Sequence, residues 1–398
     1  MSFADTNLMS LDVHTFNPEP FYNYLRDEEP LYWDKESELW AVARYEDVVF
    51  ISRNTDIFCS GQGVVPKVSP EDWPDEAMIN LDGRAHTKQR ALVSKGFTPK
   101  RVNDLEGYAR EVMIGLVEKV IKDGECCLVQ DLARPLPMRL IGKMLDYPLE
   151  KQDEILKWTD VYTHAGCGPD HITGDVIENF GNFTEFHMEF LQEKMENPGD
   201  DLLTVWLNAE LDGESLGPEK LLFEHNLLLV GGSETTRNAI SGGMQALMNH
   251  PEQQKYLVDN LDNPEVVNNA VEEMIRWSTP FVRMARTLTK DYEYHGKQMK
   301  EGQQIIMLYP AANRDPKVFE NPDQFDIKRK FSRPAVSFGY GKHFCIGASL
   351  ARLEVKVFLQ EVLQRIPDMA NHTEKEAVQS PSCFIRGLKT LPVTFSRD

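Results

Sequence analysis

The sequence has no apolar run that approaches the ~20 residues needed for a membrane-spanning helix. Residues 1–20 are polar and acidic, and they lack the basic segment and the apolar core of a secretory signal. These two absences predict a protein without stable membrane insertion, and the cytoplasm is its simplest location.

Positive charge is also scarce. The chain carries 43 Lys and Arg residues against 63 Asp and Glu residues, which gives a formal net charge of -20 at pH 7. Because proteins bind the phosphate backbone through a basic face, this balance predicts that nucleic acid is not a partner.

Cysteines and linkers are few. The six cysteines, at positions 59, 126, 127, 167, 345 and 383, lack the spacing of a disulfide framework or a zinc site, which favours a reducing compartment. No Gly/Ser-rich linker, low-complexity tract or internal repeat divides the 398 residues. We therefore expect residues 1–398 to form a single domain.

The hydrophobic pattern predicts a mainly α fold with a minor β part. Residues 31–44 carry aromatic and β-branched side chains around a charged turn, and a second small hairpin is expected over 292–308. A long helix is expected over 218–249. Another follows Cys345 and ends at Pro367, because apolar residues recur there every three to four positions.

Residues 338–347 (FGYGKHFCIG) place Cys345 just before this last helix, among glycines that let the backbone approach a flat group. Backbone N–H groups and the helix dipole at such a position favour a thiolate, which can be the axial ligand of a haem iron. A lone buried cysteine is more often a small core residue, so the whole run carries the prediction.

The helix over 218–249 contains the run 231–236 (GGSETT). Two glycines and an acid are unexpected in the middle of a buried helix. A close helix–helix crossing, or a hydroxyl that bonds back to the carbonyl four residues earlier, would explain the run. A loosened turn that leaves room for a small ligand, with Glu234 and Thr235 as a proton-relaying pair, is the functional alternative.

Residues 338–347 match the pattern F-G-x-G-x-H-x-C-x-G at every defining position and resemble the haem-binding signature of the cytochrome P450 family. The resemblance implies a helical domain with small β-sheets around a buried haem b, with Cys345 as the ligand of its iron. It implies a haem-thiolate monooxygenase that uses O₂ to hydroxylate a lipophilic small molecule. In this family the run 231–236 lies in the oxygen-binding helix, where Glu234 and Thr235 would assist O–O cleavage.

Other segments extend the resemblance. His86, Arg90, Arg286 and His343 match residues that bind the haem propionates, while Glu273 and Arg276 match a buried structural pair. Many relatives have an arginine at the position of Gln324 that bonds this glutamate. The third partner of the pair is therefore open here, with Arg314 or Arg329 as substitutes.

The resemblance also implies partners. The chain has no flavin or nicotinamide domain, so electrons would come from a ferredoxin and its reductase, and NAD(P)H would act only indirectly. We expect a monomer. A haem-thiolate peroxygenase and a non-catalytic haem-binding protein are the alternative functions, and the pair Glu234 and Thr235 argues against both.

The substrate is predicted from apolar residues near these motifs, which indicate a lipophilic ligand. Residues 231–238 and 97–99 resemble actinobacterial sterol side-chain hydroxylases, and 309–325 resembles a bacterial monoterpene hydroxylase, so a steroid or terpenoid is favoured. The candidate pocket residues are Val64, Val65, Met78, Ile79, Val230, Ser233, Phe281, Val282, Met284 and Phe384.

Overall fold

The structure is a computed structural model that describes residues 3–15, 17–71, 73 and 75–397. About 53% of the chain is helical. The α-helices are α1 (Leu11–Thr15), α2 (Glu19–Asp27), α3 (Tyr45–Arg53), α4 (Gly83–Ser94), α5 (Pro99–Asp104), α6 (Glu106–Val120), α7 (Pro135–Leu145), α8 (Gln152–Ala165), α9 (Gly174–Glu196), α10 (Leu202–Leu207), α11 (Pro218–Met248), α12 (Pro251–Val258), α13 (Pro264–Ser278), α14 (Tyr309–Ala312) and α15 (Ala348–Arg365).

The strands are short and form small sheets. They are β1 (Tyr32–Asp34), β2 (Leu39–Val42), β3 (Phe58–Cys59), β4 (Glu125–Cys127), β5 (Glu210–Leu211), β6 (Glu214–Ser215), β7 (Arg283–Leu288), β8 (Tyr292–Tyr294), β9 (Lys297–Met299), β10 (Gln304–Leu308), β11 (Ala370–Asn371), β12 (Val378–Ser380), β13 (Gly387–Thr390) and β14 (Pro392–Thr394). The predicted mainly α fold with a minor β part is confirmed.

The largest sheet has five strands in the order β1-β2-β10-β7-β3. The predicted first hairpin is confirmed: β1 and β2 pair antiparallel, and the Asp34 carboxylate accepts the backbone N–H of Glu36 at 2.9 Å in the turn. The second predicted hairpin is only partly right. β8 pairs with β9, but β10 leaves them to run parallel to β2 and antiparallel to β7.

Helix α11 runs through the helical part of the molecule and packs against α13, α7, α8 and α15. Its start at Pro218 and its end before Pro251 agree with the prediction, because proline is tolerated in the first turn and cannot continue a helix. The hydrophobic core between α6, α11, α13 and α15 contains Met113, Ile240, Met274 and Phe358, each fully buried.

Helix α15 also agrees with the prediction. Val355, Phe358 and Val362 are fully buried along one stripe, and the helix ends at Arg365, two residues before Pro367. Near the end of the chain, strands β13 and β14 are separated at Leu391. Within the described residues, no helix is both long and apolar enough to cross a membrane.

Candidate active site

A cavity with an empty volume of about 1490 Å³, its open mouth included, lies between α11 and the loop that precedes α15. Its lining is mostly apolar and comes from segments that are distant in sequence. Cys345 and Thr235 both line it, so the structure brings the cysteine loop and the centre of α11 together around one space. Such a mainly apolar cleft with a few polar groups is typical of a ligand or cofactor site.

The cysteine loop reaches the cavity through two glycines with positive φ, Gly339 (φ 69) and Gly341 (φ 71). These left-handed conformations turn the backbone so that Cys345 N donates to the carbonyl of Phe338 at 2.9 Å. The Cys345 side chain is exposed to the cavity.

Burial raises the pKa of Cys345, although the backbone N–H groups of Gly347 and Ala348 and the charge of Arg90 act in the opposite direction. The N–H groups at the helix start act in the predicted direction, but burial outweighs them. A bound iron ion would supply the missing positive charge, since a coordinating thiol is deprotonated.

The four residues predicted for the propionates cluster at one side of the cavity. The rings of His86 and His343 have centroids 4.1 Å apart, and His343 Nε2 lies 3.2 Å from Ser60 Oγ. Arg90 Nη2 donates to the carbonyl of Phe344 at 2.6 Å. Arg286 is buried and donates to the carbonyl of Ala285 at 2.7 Å.

Of the four residues in this cluster, only the two arginines carry a positive charge. Burial, followed by the charge of Arg286, lowers the pKa of His343 to about 3. Burial and then Arg90 lower the pKa of His86. The two imidazoles are therefore neutral N–H donors beside two guanidinium groups.

The donor set fits a haem. His86 Nε2 is buried without a hydrogen-bond partner among the described residues, and no described carboxylate lies within ion-pair distance of Arg286. Carboxylates of a cofactor would satisfy both groups, which is the usual requirement for buried donors and charges. With Cys345 across the cavity as a sulfur ligand, these residues would hold the propionates and the iron of one haem.

On the opposite wall, α11 is continuous from Pro218 to Met248, so the predicted loosened turn is wrong. The space comes from Gly231 instead, where an added Cβ would meet no atom within 4 Å. At Gly232 an added Cβ would come 2.8 Å from Ile141 Cδ1 of α7, which is the close helix crossing that the sequence allowed. The Thr235 hydroxyl donates back to the carbonyl of Gly231.

Glu234 does not line the cavity. Successive residues of a helix point roughly 100° apart, and the Glu234 side chain forms a buried ion pair with Arg237. Asp160 of α8 lies beside this pair and accepts from Arg134 at 2.6 Å. Burial, with Asp160 adding to it, raises the pKa of Glu234 to about 8. Thr235 and Glu234 therefore belong to two adjoining sites, one in the cavity and one behind it.

Behind the cysteine loop, the structure completes the buried pair. Arg276 donates to Glu273 in a bidentate pair, with Nε–Oε2 at 2.7 Å and Nη2–Oε1 at 2.8 Å. Arg329 is the third partner, with its Nε 2.9 Å from Glu273 Oε2. Gln324 contributes only its carbonyl, which accepts from Arg329 Nη2 at 2.6 Å. Arg314 instead lies over the Trp277 ring.

The predicted substrate residues divide into two groups. Those that line the cavity are Met78, Ile79, Phe281 and Met284. The others lie outside its lining, packed in the hydrophobic cores or turned away along α11, and are Val64, Val65, Val230, Ser233, Val282 and Phe384. A residue close in sequence to a motif can face either the cavity or the protein core. The second group was therefore predicted in the pocket although its side chains lie outside the cavity lining.

Several lining residues were missed by the sequence interpretation. Leu227 and Leu228 precede the two glycines by one helical turn, so the four-residue period of α11 could have identified them. Glu224 lies one turn further back, and one of its oxygens accepts from Met78 N at 2.6 Å and from Gln89 Nε2 at 2.7 Å. Burial raises the pKa of Glu224 to about 7.

Comparison with known proteins agrees with this geometry. A family model described as cytochrome P450 matches residues 169–380. The steroid C26-monooxygenase of Mycolicibacterium smegmatis is 36% identical over 381 residues, covering 94% of this chain and 92% of that protein. The methyl-branched lipid omega-hydroxylase of Mycobacterium bovis is 36% identical over 417 residues, covering 99% of this chain and 95% of that protein.

Solved structures give the same result. CYP109E1 from Bacillus megaterium, in complex with testosterone, superposes with a TM-score of 0.84 at 30% identity, covering 96% of this chain and 100% of that chain. A Mycobacterium marinum cytochrome P450 in complex with pseudoionone superposes with a TM-score of 0.90 at 30% identity, covering 99% of each chain. The chain therefore belongs to the cytochrome P450 family and is a haem monooxygenase that hydroxylates lipophilic substrates, with electrons from a redox partner.

Proposed function

We propose that this monooxygenase hydroxylates a steroid or a related terpenoid. The observation that carries the proposal is the mostly apolar lining of the cavity that Cys345 shares, to which Leu227, Leu228, Phe281 and Met284 contribute. Apolar walls of this kind bind a rigid lipophilic skeleton by burial and leave its polar groups to a few side chains. The steroid C26-monooxygenases and the testosterone complex among the similar proteins support this substrate class.

The residues around the cavity have separate tasks in this reaction. When bound through Cys345, haem supplies the chemistry of O₂ activation and oxygen transfer. His86, Arg90, Arg286 and His343 hold the propionates by donating N–H groups. The apolar wall holds the substrate and excludes bulk water.

Protons reach the reaction site through Thr235 and Glu234. The Thr235 hydroxyl, which donates to the carbonyl of Gly231, can turn to donate a proton into the cavity. Burial raises the pKa of Glu234 against the opposing charge of Arg237, so this carboxyl group can take up and release a proton nearer neutral pH than a free carboxylate and can resupply the hydroxyl after a side-chain rotation.

A spectral titration tests the substrate class. Steroids, terpenes and fatty acids would be added in turn to the ferric holoprotein, and a shift of the haem absorbance reports a ligand that enters beside the iron. We expect saturating shifts with steroids or terpenoids. Tighter binding by straight-chain fatty acids alone would overturn the proposed class. Met284→Trp fills part of the cavity and should weaken the absorbance shift. Val282→Ile lies outside the cavity lining and should leave the shift unchanged.

The electron donor is proposed to be a ferredoxin with its reductase, which draws on NAD(P)H. Its docking face would be the surface around the cysteine loop, where Arg53 contacts the Tyr340 hydroxyl at 2.8 Å and Lys342 is exposed. Arg84 and Lys88 of α4 pair with Asp212 and Glu214, so they add little charge to this face. An acidic partner would be steered to this face.

Salt dependence tests this electron donor. Turnover with a ferredoxin should fall steeply as salt is added, because screening weakens long-range attraction. Lys342→Glu should lower the rate at low salt. Salt-independent turnover, or equal rates for that variant, would count against this docking face. Lys375→Glu, at a position that pairs with Glu125 on β4, is the matched charge control.

We further propose that residues 1–398 act as one domain, as a monomer in the cytoplasm. Contacts between distant segments support this, since one haem would be held by residues as far apart as 86 and 345. Size-exclusion chromatography with light scattering tests the oligomeric state, and a mass of twice the 45.6 kDa chain would overturn it.

A further inference from the structure

Two buried cysteines meet at a site that the monooxygenase chemistry does not use. Cys167 lies in the turn between α8 and α9, and Cys383 lies in the segment before β13; they are 1% and 0% exposed. Cys383 N donates to Cys167 Sγ at 3.3 Å, and Cys383 Sγ lies 3.6 Å from the carbonyl oxygen of Cys167.

Polar groups around the pair favour a negative charge on sulfur. Arg283 Nη2 lies 3.0 Å from Cys383 Sγ and donates to the carbonyl of Cys167 at 3.1 Å. Ser382 Oγ is 3.5 Å from Cys167 Sγ. The contact with Cys383 lowers the pKa of Cys167, and Ser382 and the backbone N–H of Cys383 add to this effect, while the same contact and burial raise the pKa of Cys383.

Cys167 therefore differs from other cysteines of the chain. Burial raises the pKa of Cys59 and raises that of Cys126 to about 12. Thiolate is the nucleophilic form of cysteine, so Cys167 is the cysteine that would react first with an oxidant. Its neighbour Cys383 is already in position to react with the sulfenic acid that oxidation of Cys167 would form.

The pair lies behind the wall of the cavity. The Phe384 ring contacts Gly166, since an added Cβ at that glycine would come 1.9 Å from Phe384 Cδ1. Phe384 packs edge-on against Phe281, with ring centroids 5.1 Å apart, and Phe281 lines the cavity. The turn 165–168 is thus connected to the cavity through two aromatic rings.

We propose that Cys167 and Cys383 form a reversible disulfide, with hydrogen peroxide as the oxidant, that fixes the turn 165–168 against Phe384 and slows ligand entry. The two cysteines are already in contact, because Cys383 N donates to Cys167 Sγ, and a disulfide would bring the two sulfur atoms to a bond length of about 2 Å. Peroxide is released when a monooxygenase reduces O₂ without hydroxylating substrate, so the oxidant arises at this protein.

The reaction balances as follows. The Cys167 thiolate attacks one peroxide oxygen, the O–O bond breaks, and the leaving hydroxide takes a proton to become water. The sulfenic acid is then attacked by Cys383, whose thiol loses its proton, and a second water leaves as the S–S bond forms. The two thiols give up two electrons, which reduce one peroxide to two waters.

Peptide mapping tests the modification. The holoprotein would be treated with hydrogen peroxide, quenched with catalase, alkylated and digested without reductant. We expect a linked peptide pair that contains residues 167 and 383, and two fewer free thiols among the six after denaturation. Dithiothreitol should restore both thiols. Links to other cysteines, or oxidation of single cysteines without this link, would overturn the proposal.

Matched variants make the test specific. Cys167→Ser and Cys383→Ser should each abolish the link, and Cys127→Ser should leave it unchanged. If one serine variant does not fold, the other variant still tests whether the link needs both cysteines. The native protein, alkylated after treatment with a low peroxide concentration, still shows whether the link forms. Persistence of the thiol loss in both serine variants would show that the pair is not the site.

A separate measurement tests the effect on entry. The association of 4-phenylimidazole with the ferric haem would be followed by absorbance in the oxidised and reduced protein. We expect the oxidised protein to associate several-fold more slowly, with recovery after dithiothreitol and no change in Cys383→Ser. Slower hydrogen–deuterium exchange in 165–168 and 382–385 should accompany it. If the oxidised protein, with its disulfide intact, bound 4-phenylimidazole as fast as the reduced protein, the proposed control of ligand entry would be overturned.

Discussion

At the scale of single residues, the buried charge triad shows how Glu273 is paired when position 324 is a glutamine. The family resemblance led us to expect an arginine at that position, but Arg329, five residues further along the chain, bonds Glu273 instead. Glu273 and Arg276 are fully buried, so each needs its partners. Removing one member of a buried pair leaves an uncompensated charge, which is far costlier than losing a surface ion pair.

Arg329→Met should therefore destabilise the protein by about 3–5 kcal/mol, because it leaves Glu273 with a single guanidinium partner. Gln324→Ala is the control, since that exposed side chain is not part of the triad, and its effect should stay within about 0.5 kcal/mol. Urea unfolding followed by circular dichroism measures both. Equal stability of the two variants would contradict the role of Arg329.

Thr235→Ala should keep the haem but lower the fraction of electrons that reaches product, because the cavity loses the hydroxyl that handles protons. The ratio of hydroxylated product to NAD(P)H consumed should fall several-fold, with a matching rise in peroxide. Ser233→Ala is the control, because Ser233 lies on the same helix outside the cavity lining and its hydroxyl also donates to the carbonyl four residues earlier. An unchanged ratio in Thr235→Ala would remove the proton-handling role of that hydroxyl.

At the scale of elements, the cysteine loop is held by its contact with the end of α3. Gly341 has φ 71, and an added Cβ would lie 2.7 Å from the carbonyl oxygen of Ser52. Backbone cannot move aside as a side-chain tip can, so both the conformation and the contact require glycine. The helix end of α3 therefore positions the segment that carries Cys345.

Gly341→Ala should destabilise the protein and weaken haem retention, because strain and a backbone clash combine. Gly302→Ala is the matched control: Gly302 also has positive φ, at 81, but an added Cβ there meets no atom within 4 Å. That control should cost only the conformational strain, about 1–2 kcal/mol. Thermal unfolding and the haem-to-protein absorbance ratio distinguish the two variants, and equal losses would contradict the proposed contact.

At the scale of the whole molecule, buried titratable groups set the pH range of stability. Burial lowers the pKa of His14 and of His225 to about 3 from the ordinary 6.5. Burial raises the pKa of Glu354 to about 8 from 4.5. The histidines are neutral and the carboxyl protonated in the folded protein, so each group resists the charged form that the unfolded chain prefers.

Stability should consequently fall on both sides of a middle range. Below pH 6.5 the unfolded chain binds protons that the folded histidines do not, so stability decreases as the pH falls towards about 3. Above pH 4.5 the unfolded chain loses a proton that Glu354 keeps, so stability decreases as the pH rises towards about 8. The two effects oppose each other between pH 4.5 and 6.5, where the unfolding temperature should be highest.

Glu354→Gln tests the alkaline side. It should flatten the decrease of unfolding temperature above neutral pH, because the buried group no longer titrates. The exposed Glu118→Gln is the control and should leave the profile unchanged. Calorimetry across the pH range measures all three proteins, and an unchanged alkaline decrease in Glu354→Gln would exclude this group as its cause.

The sequence predicted the parts of the site that depend on local geometry. A cysteine between glycines at a helix start, proline-bounded helices and the first hairpin depend on residues close in the chain, and the structure has each of them. The direction of Glu234 was not predicted, because Arg237 and the partners from α7 and α8 decide it. Six of the ten candidate pocket residues lie outside the cavity lining for a similar reason.

By itself, the sequence determined the family and the mainly helical architecture, and it predicted Cys345 as the haem ligand, since a short motif of fixed spacing carries each chemical role. Only the tertiary structure decided that Arg329 completes the buried triad, that the two imidazoles of the propionate cluster are neutral, and that Cys167 meets Cys383. These features join segments more than fifty residues apart or depend on burial. Packing, rather than spacing along the chain, sets the distances and the desolvation that produce them.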